Sequence, residues 1–155
     1  MLKLVILSLA ILGLSHFAFA QTEDISAKIT FKGNAVKKGV ATNASIELSI
    51  PVGLHVNSNK PSGEYMIPTT ATVKADGIRV GALIFPAGED KMFPFSPTPI
   101  NVYDGKVVFR FKLTVPRSFK GKTVKLIARV NFQACSDEVC YQPESRTVET
   151  SLRVR

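Results

Sequence analysis

Alternation of apolar and polar residues is the feature that most constrains the fold of this 155-residue chain. An apolar side chain recurs every second residue in four segments: 44–50, 107–115, 126–134 and, more weakly, 148–154. Successive side chains of a strand point to opposite faces, so this period is typical of half-buried antiparallel strands. No segment beyond residue 20 shows a convincing helical repeat. The chain is therefore predicted to be all-β.

Glycine, proline and aspartate mark turns between these segments. The strongest short hairpin signal is Asp104-Gly105, because Asp-Gly suits a two-residue turn between strands. Eight or nine short strands with frequent turns predict an antiparallel β-sandwich of immunoglobulin-like type. The other turn signals are Lys38-Gly39, Pro51-Val52-Gly53, Pro61-Ser62-Gly63, Asp76-Gly77, Pro86-Ala87-Gly88 and Lys120-Gly121.

The segment 86–99 contains four prolines, together with Met92, Phe93 and Phe95. Proline has no backbone N–H to donate to a neighbouring strand, so this segment cannot be a central strand. We expect a substantial surface loop that exposes these three apolar side chains.

The N-terminus has the pattern of a secretory signal peptide. Lys3 precedes an apolar run over 4–14, and the small residues Ala18 and Ala20 form a cleavage signal. Cleavage is expected after Ala20, which leaves one domain over 21–155. The apolar run is too short for a transmembrane helix, so no stable membrane insertion is expected. An exported chain of this kind is predicted to be periplasmic.

The formal net charge is +8 at pH 7, which by itself could favour nucleic acid or an anionic membrane surface. The basic residues are nevertheless spread along the whole chain, without a basic run interleaved with aromatics. Together with export, this distribution argues against a nucleic-acid partner. The charge is interpreted as solvated surface charge.

Cys135 and Cys140 are the only cysteines. In an oxidising compartment, two nearby cysteines tend to form a disulfide. The two strands that flank them, at about 123–134 and 146–154, place the pair at the end of a hairpin. Four intervening residues allow the Cα atoms to approach within the roughly 4.4–6.8 Å that a disulfide requires.

The residues alone leave open whether this disulfide is a structural staple or a redox couple. Closing a six-residue loop removes unfolded-state entropy worth only about 2 kcal/mol, which is little for a staple. Asp137 and Glu138 lie between the cysteines and disfavour a thiolate, although Arg129 and Arg146 are candidates to offset them. The segment therefore differs from a low-pKa thioredoxin-type site. It suits a pair that exchanges when a specialised partner supplies or accepts the thiolate.

Other chemistries lack the residues they need. His55 is the only histidine beyond the leader, and a lone histidine on a strand is more often a packing or solvated residue than a catalytic one. Copper ligation by the cysteines, His55, Met66 or Met92 has no supporting ligand spacing. No phosphate-binding glycine loop or hydrolase elbow is present. Neither a metal nor another cofactor is expected.

Two segments around the cysteines resemble a known family. Residues 130–135 read Val-Asn-Phe-Gln-Ala-Cys, and residues 140–144 read Cys-Tyr-Gln-Pro-Glu. This pattern is similar to the N-terminal periplasmic domain of the bacterial thiol:disulfide interchange protein DsbD, and the resemblance extends over roughly 45–152. Weaker similarities lie in residues 53–58, Pro61, Pro68-Thr69, residues 85–88 and residues 102–105.

The resemblance implies an immunoglobulin-like sandwich with one redox-active cysteine pair and no cofactor. Such domains take electrons from a thioredoxin-like domain and pass them to oxidised periplasmic proteins. Cys140 would form the mixed disulfide with partners and Cys135 would resolve it. A cap loop shields the pair in this family; the matching region is 90–95, with Phe93 and Phe95 as candidate cap residues. The expected partners are thioredoxin-fold redox proteins or a membrane thiol transporter, and the domain is expected to be a monomer.

Two departures from the family pattern bear on function. The full family protein also carries a membrane-embedded domain and a C-terminal thioredoxin-like domain, whereas this chain ends at Arg155. Either the electron donor is a separate protein or the redox role has been lost. Gln142 stands where many relatives have proline. The alternative hypothesis is a non-enzymatic binding module with a structural hairpin disulfide, which would present 86–99 as its contact loop.

Overall fold

The computed structural model describes residues 24–63 and 65–155, and within them it contains twelve strands and no helix. This confirms the all-β prediction. The predicted signal peptide lies outside the described residues. The strands are β1 (Ser26–Phe31), β2 (Ala35–Val36), β3 (Ala41–Ser49), β4 (His55–Asn57), β5 (Thr70–Lys74), β6 (Arg79–Val80), β7 (Glu89–Lys91), β8 (Ile100–Tyr103), β9 (Lys106–Thr114), β10 (Thr123–Phe132), β11 (Ala134–Cys135) and β12 (Glu144–Val154).

The strands form three four-stranded sheets, with the orders β1-β3-β9-β6, β2-β12-β10-β5 and β11-β4-β8-β7. All neighbouring strands are antiparallel except β2 and β12, which are parallel. The first two sheets share one hydrophobic core and form the layers of the sandwich. The third sheet is built from short strands and carries the cysteine segment at its edge.

The core follows the alternation seen in the sequence. In β9, Phe109 and Leu113 are fully buried, and in β10 the same holds for Leu126 and Val130. Their polar neighbours along each strand face outward. Burying each such side chain contributes about 1.5–3 kcal/mol. The alternating segments therefore supply most of the buried side chains that pack between the two layers.

The immunoglobulin-like sandwich prediction is confirmed, and the chain divides into more strands than the eight or nine expected. The additional strands are short: β2, β6 and β11 have two residues each, and β4 and β7 have three. A period of two cannot be recognised in so few residues. These strands therefore escaped sequence analysis.

The hairpin expected at Asp104-Gly105 is not formed, and that interpretation was wrong. β8 pairs with β4 and β7 in the third sheet, whereas β9 pairs with β3 and β6 in the first. Gly105 has the positive φ (56°) that the Asp-Gly signal predicts, but its carbonyl accepts a hydrogen bond from the Ile50 N–H at 2.8 Å. The turn therefore carries the chain from one sheet to another.

The segment 86–99 is a loop that includes one short edge strand, β7, paired with β8. Met92 and Phe95 are exposed as expected, at 63% and 41%. Phe93 is 6% exposed, so the expectation of an exposed side chain was wrong for this residue. It is buried because it packs with Ile100 and Val102 of β8 in a small second hydrophobic cluster.

Candidate functional site

Cys135 and Cys140 form a disulfide at the end of the long hairpin of β10 and β12. Cys135 ends β11, and Cys140 lies opposite it as an antiparallel bridge. Their Cα atoms are 4.0 Å apart, slightly closer than the roughly 4.4 Å lower end of the range expected from sequence. The predicted pairing of the two cysteines is confirmed.

Backbone hydrogen bonds close this hairpin end independently of the disulfide. The Tyr141 N–H donates to the Ala134 carbonyl at 2.8 Å, and the Ser136 N–H donates to the Val139 carbonyl at 2.8 Å. These bonds lie on either side of the cysteines, which therefore form a non-hydrogen-bonded pair, where side chains of opposite strands are closest. The Ser136 hydroxyl also accepts hydrogen bonds from the backbone N–H groups of Glu138 and Val139, each at 3.2 Å.

The two cysteines differ in accessibility. Cys135 is 1% exposed and belongs to the interior of the domain, whereas Cys140 is partly exposed. Val139 and Tyr141, the chain neighbours of Cys140, are 51% and 47% exposed, but they lie opposite Ser136 and Ala134 and therefore on the other face from the two cysteines. Cys140 is therefore the more accessible of the two cysteines to an incoming molecule.

His55 lies next to Cys135, a position that sequence analysis did not identify. β4 pairs with β11 so that His55 and Cys135 are direct register partners. On its other side, β4 pairs with β8 with Val56 opposite Tyr103, and the charge of Asp104, the next residue, acts on His55. Cys140, Cys135 and His55 thus lie in one row across the end of the third sheet. A lone histidine in the sequence carries no signal of this non-local pairing.

The environment of His55 favours its neutral form. It is 5% exposed, and this burial is the main cause that lowers its pKa below the usual value. The negative charges of Asp137 and Asp104 act in the opposite direction, and the positive charge of Lys91 adds to the lowering. Lys91 is paired with Asp104, and this hydrogen bond is the main cause that raises the Lys91 pKa.

The predicted cap residues form an aromatic stack that ends at His55. The ring centroids of Phe93 and His55 are 4.2 Å apart with an interplanar angle of 18°, and those of Phe95 and Phe93 are 5.4 Å apart at 10°. Phe93 therefore contacts the register partner of Cys135. The stack runs from the buried imidazole outward to the half-exposed Phe95 ring.

The two arginines considered as charge partners of the cysteine segment have other contacts. The Nε atom of Arg146 donates to the Ile25 carbonyl at 2.7 Å, and its guanidinium lies 5.5 Å from the centroid of the Phe132 ring. The Arg129 side chain donates to Asn131 and Ser145. These contacts hold both guanidinium groups in interactions outside the 135–140 turn, so neither arginine pairs with Asp137 or Glu138 in the described residues.

A separate cleft of about 540 Å³ lies on the other face of the cysteine hairpin. Phe132, Ala134 and Ser136 line it, and strand alternation directs these side chains away from the face that carries Cys135. Residues 51–54 and Arg146 form its other walls.

The described residues contain no group of three or more His, Cys, Asp or Glu side chains arranged to hold a metal ion. The same residues contain no helix that is long and apolar enough to cross a bilayer.

Comparison with known families gives one match. The model for the family described as "Thiol:disulfide interchange protein DsbD, N-terminal" matches residues 21–152. The matched region includes both cysteines, His55 and the stacked Phe93 and Phe95. No curated protein matches the chain closely enough to count as a relative.

Proposed function

The chain belongs to the family of DsbD N-terminal domains, and we propose that it is an exported thiol–disulfide exchange domain with Cys135 and Cys140 as its working couple. The observation that carries the proposal is the accessible Cys135–Cys140 disulfide at the end of a hairpin that is closed by its own hydrogen bonds. A couple must be reduced and oxidised without unfolding the domain, and such a hairpin end meets that requirement.

In the proposed reaction, a donor thiolate attacks the Cys140 sulfur and Cys135 leaves as a thiolate. A second donor thiol then releases Cys140, and the domain carries two thiols. Transfer to an oxidised protein runs in the opposite sense: Cys140 forms a mixed disulfide with the substrate, and Cys135 resolves it. The greater exposure of Cys140 supports its assignment as the first contact, because attack requires access along the S–S axis.

The proposed donors are thioredoxin-fold redox proteins or a membrane thiol transporter, and the proposed acceptors are periplasmic protein disulfides. The family of periplasmic domains to which the chain belongs supports this setting. The exposed ring of Phe95, at the outer end of the aromatic stack on His55, suits contact with a protein partner. We propose that the domain acts as a monomer in this exchange.

Trapping of the mixed disulfide tests the proposal. Cys135→Ser removes the resolving thiol, so Cys140 should accumulate disulfide-linked adducts with thioredoxin-fold proteins of the same compartment. Cys140→Ser should form far fewer adducts, because its remaining thiol is buried. The measurement is a non-reducing gel of exported protein, followed by mass spectrometry of each reducible band. Equal absence of adducts from both variants would contradict the proposal.

The alternative is a binding module in which the disulfide is structural. The burial of Cys135 is the observation that favours it. The reduction potential separates the two functions, since structural bridges lie below about −300 mV and exchanging couples lie nearer −200 mV. Equilibration with glutathione buffers measures this value directly.

A further inference from the structure

We propose that His55 is the proton acceptor for the Cys135 thiol when Cys135 resolves the mixed disulfide. The inference rests on the proposed exchange function, and it assigns the resolving step to a pair of residues from two different strands. It concerns Cys135 alone, so it can be tested separately from the partner-contacting role of Cys140.

The register between β4 and β11 brings the two groups together. His55 and Cys135 are direct antiparallel partners, so their side chains stand on the same face of the sheet with Cβ atoms about 4.5–5.5 Å apart. Cys140 flanks Cys135 on its other side. Cys135 is therefore placed between the sulfur that it attacks and an imidazole. The stacked ring of Phe93, 4.2 Å away, restrains the plane of that imidazole.

The charges around His55 suit a base that starts neutral. Burial keeps the imidazole unprotonated, and its lowered pKa leaves a nitrogen lone pair free to accept a proton. The charged groups that act on it are Asp137 in the cysteine turn, Asp104 after β8 and Lys91 in β7. The two carboxylates favour the imidazolium that forms once the proton has moved. Lys91 is paired with Asp104, which reduces its opposition to that imidazolium.

Cys135 needs such help because its surroundings disfavour a thiolate. An ordinary thiol with a pKa near 8.5 is only about 3% ionised at pH 7. Burial of Cys135 and the negative charge of Asp137 lower that fraction further.

In the proposed step the Cys135 proton moves to the imidazole of His55, and the Cys135 sulfur attacks the Cys140 sulfur. As this S–S bond forms, the bond between Cys140 and the partner breaks. The partner sulfur leaves with the electron pair and takes the proton from the imidazolium. The two cysteines are oxidised by two electrons and the partner disulfide is reduced.

A two-phase reaction with an aromatic disulfide isolates this step. Reduced protein is mixed with dithiobis-nitrobenzoate, which releases a coloured thiolate at each exchange. The first release reports attack by Cys140, and the second reports resolution by Cys135. His55→Phe retains a ring that can stack on Phe93 but has no titratable group. We expect it to slow the second phase by about 10-fold or more at pH 7, because an ordinary thiol is only about 3% ionised there and the surroundings of Cys135 lower that fraction. The first phase should be unchanged.

The pH profile of the second phase separates proton transfer from packing. In the wild-type protein the rate should stay nearly constant from about pH 8 down to the lowered pKa of His55. In His55→Phe it should fall about tenfold per pH unit below the thiol pKa, and the two proteins should converge above about pH 9. His55→Gln should behave like His55→Phe. Phe93→Leu is the matched control: it removes the stacking partner and keeps the base, so its pH profile should keep the wild-type shape.

Two results would overturn the inference. One is an unchanged second phase in both His55 variants. The other is a wild-type second phase that already falls tenfold per pH unit below the thiol pKa, a measurement that needs no variant to fold. Failure of the exchange function itself has a different signature. The first release, by Cys140, would be no faster than the second, and the trapping variants would form no adducts.

Discussion

Reduction of the Cys135–Cys140 disulfide is predicted to leave the sandwich folded, with a loss of about 2 kcal/mol in the free energy of unfolding. The bond closes a loop of six residues, and the chain-entropy relation assigns about 2 kcal/mol to such a loop. The neighbouring β10–β12 ladder extends over Thr123–Phe132 and does not depend on the bond. The turn also retains the hydrogen bonds of Ser136 and Tyr141. The reduced hairpin should therefore keep its register.

This magnitude also sets how far folding shifts the reduction potential. Stabilisation by about 2 kcal/mol corresponds to about 45 mV for a two-electron couple, since 30 mV equals about 1.4 kcal/mol. The folded domain should thus hold its disulfide only slightly more strongly than the unfolded chain does. A small difference of this kind is required of a couple that cycles between both states.

Urea unfolding of the oxidised protein and of the protein in excess thiol measures the difference. With a slope of about 1–3 kcal/mol per M, the midpoint should fall by about 0.7–2 M while the slope is retained. Reversible reduction is preferable to substitution, because a serine at Cys135 would bury a hydroxyl in an interior position. Leu126→Ala, in the fully buried part of β10, calibrates the assay with an expected loss of about 2–5 kcal/mol. A loss above about 4 kcal/mol on reduction, or loss of cooperative unfolding, would refute the reasoning and identify a structural bridge.

Three further predictions concern the aromatic cap, the pKa of His55 and the cleavage of the leader. Replacing Phe93 and Phe95 together by alanine should speed reduction by a small thiol several-fold, whereas Met92→Ala, exposed in the same loop but outside the stack, should not; equal reduction rates would argue against a cap. Because burial lowers the pKa of His55, the unfolded chain binds a proton first as the pH falls. The free energy of unfolding should therefore be highest above about pH 6.5 and decline below it, and urea titrations should show a smaller decline for His55→Phe. Intact-mass analysis of exported protein should show a chain that begins at Gln21, and a soluble form that keeps residues 1–20 would contradict the cleavage prediction.

The layers of the sandwich could be predicted because their information is local. Each residue of β3, β9 and β10 alternates with its neighbours, so its burial can be inferred within one strand. The hairpin of β10 and β12, and with it the cysteine pairing, follows from strands that are adjacent in the sequence. These are the parts of the structure for which pattern and packing agree.

The third sheet could not be predicted for the opposite reason. Its strands are too short for a period, and their pairing depends on contacts between distant segments. Asp104-Gly105 has the correct local geometry for a turn, yet buried side chains on either side of it belong to different sheets. The proximity of His55 to Cys135 exists only through the β4–β11 register. Sequence analysis therefore located both cysteines and the aromatic loop, but it could not place His55 beside Cys135.

The non-local pairing of His55 with Cys135 also explains how an exchange site can work among acidic residues. Asp137 and Glu138 disfavour a thiolate in the turn, and the arginines nearby are held by other groups. A reduced pair in this environment reacts slowly with adventitious oxidants, because it contains little thiolate. Under the proposed mechanism, attack by a donor thiolate needs no ionised cysteine in this domain, and resolution obtains its thiolate by proton transfer to His55. Selectivity would then come from the low thiolate content of the reduced pair, whereas a thioredoxin-type site relies on a permanently lowered thiol pKa. Replacing Asp137 by asparagine tests this difference: it should raise the rate of oxidation of the reduced pair by a small disulfide, and an unchanged rate would show that the acidic turn does not control reactivity.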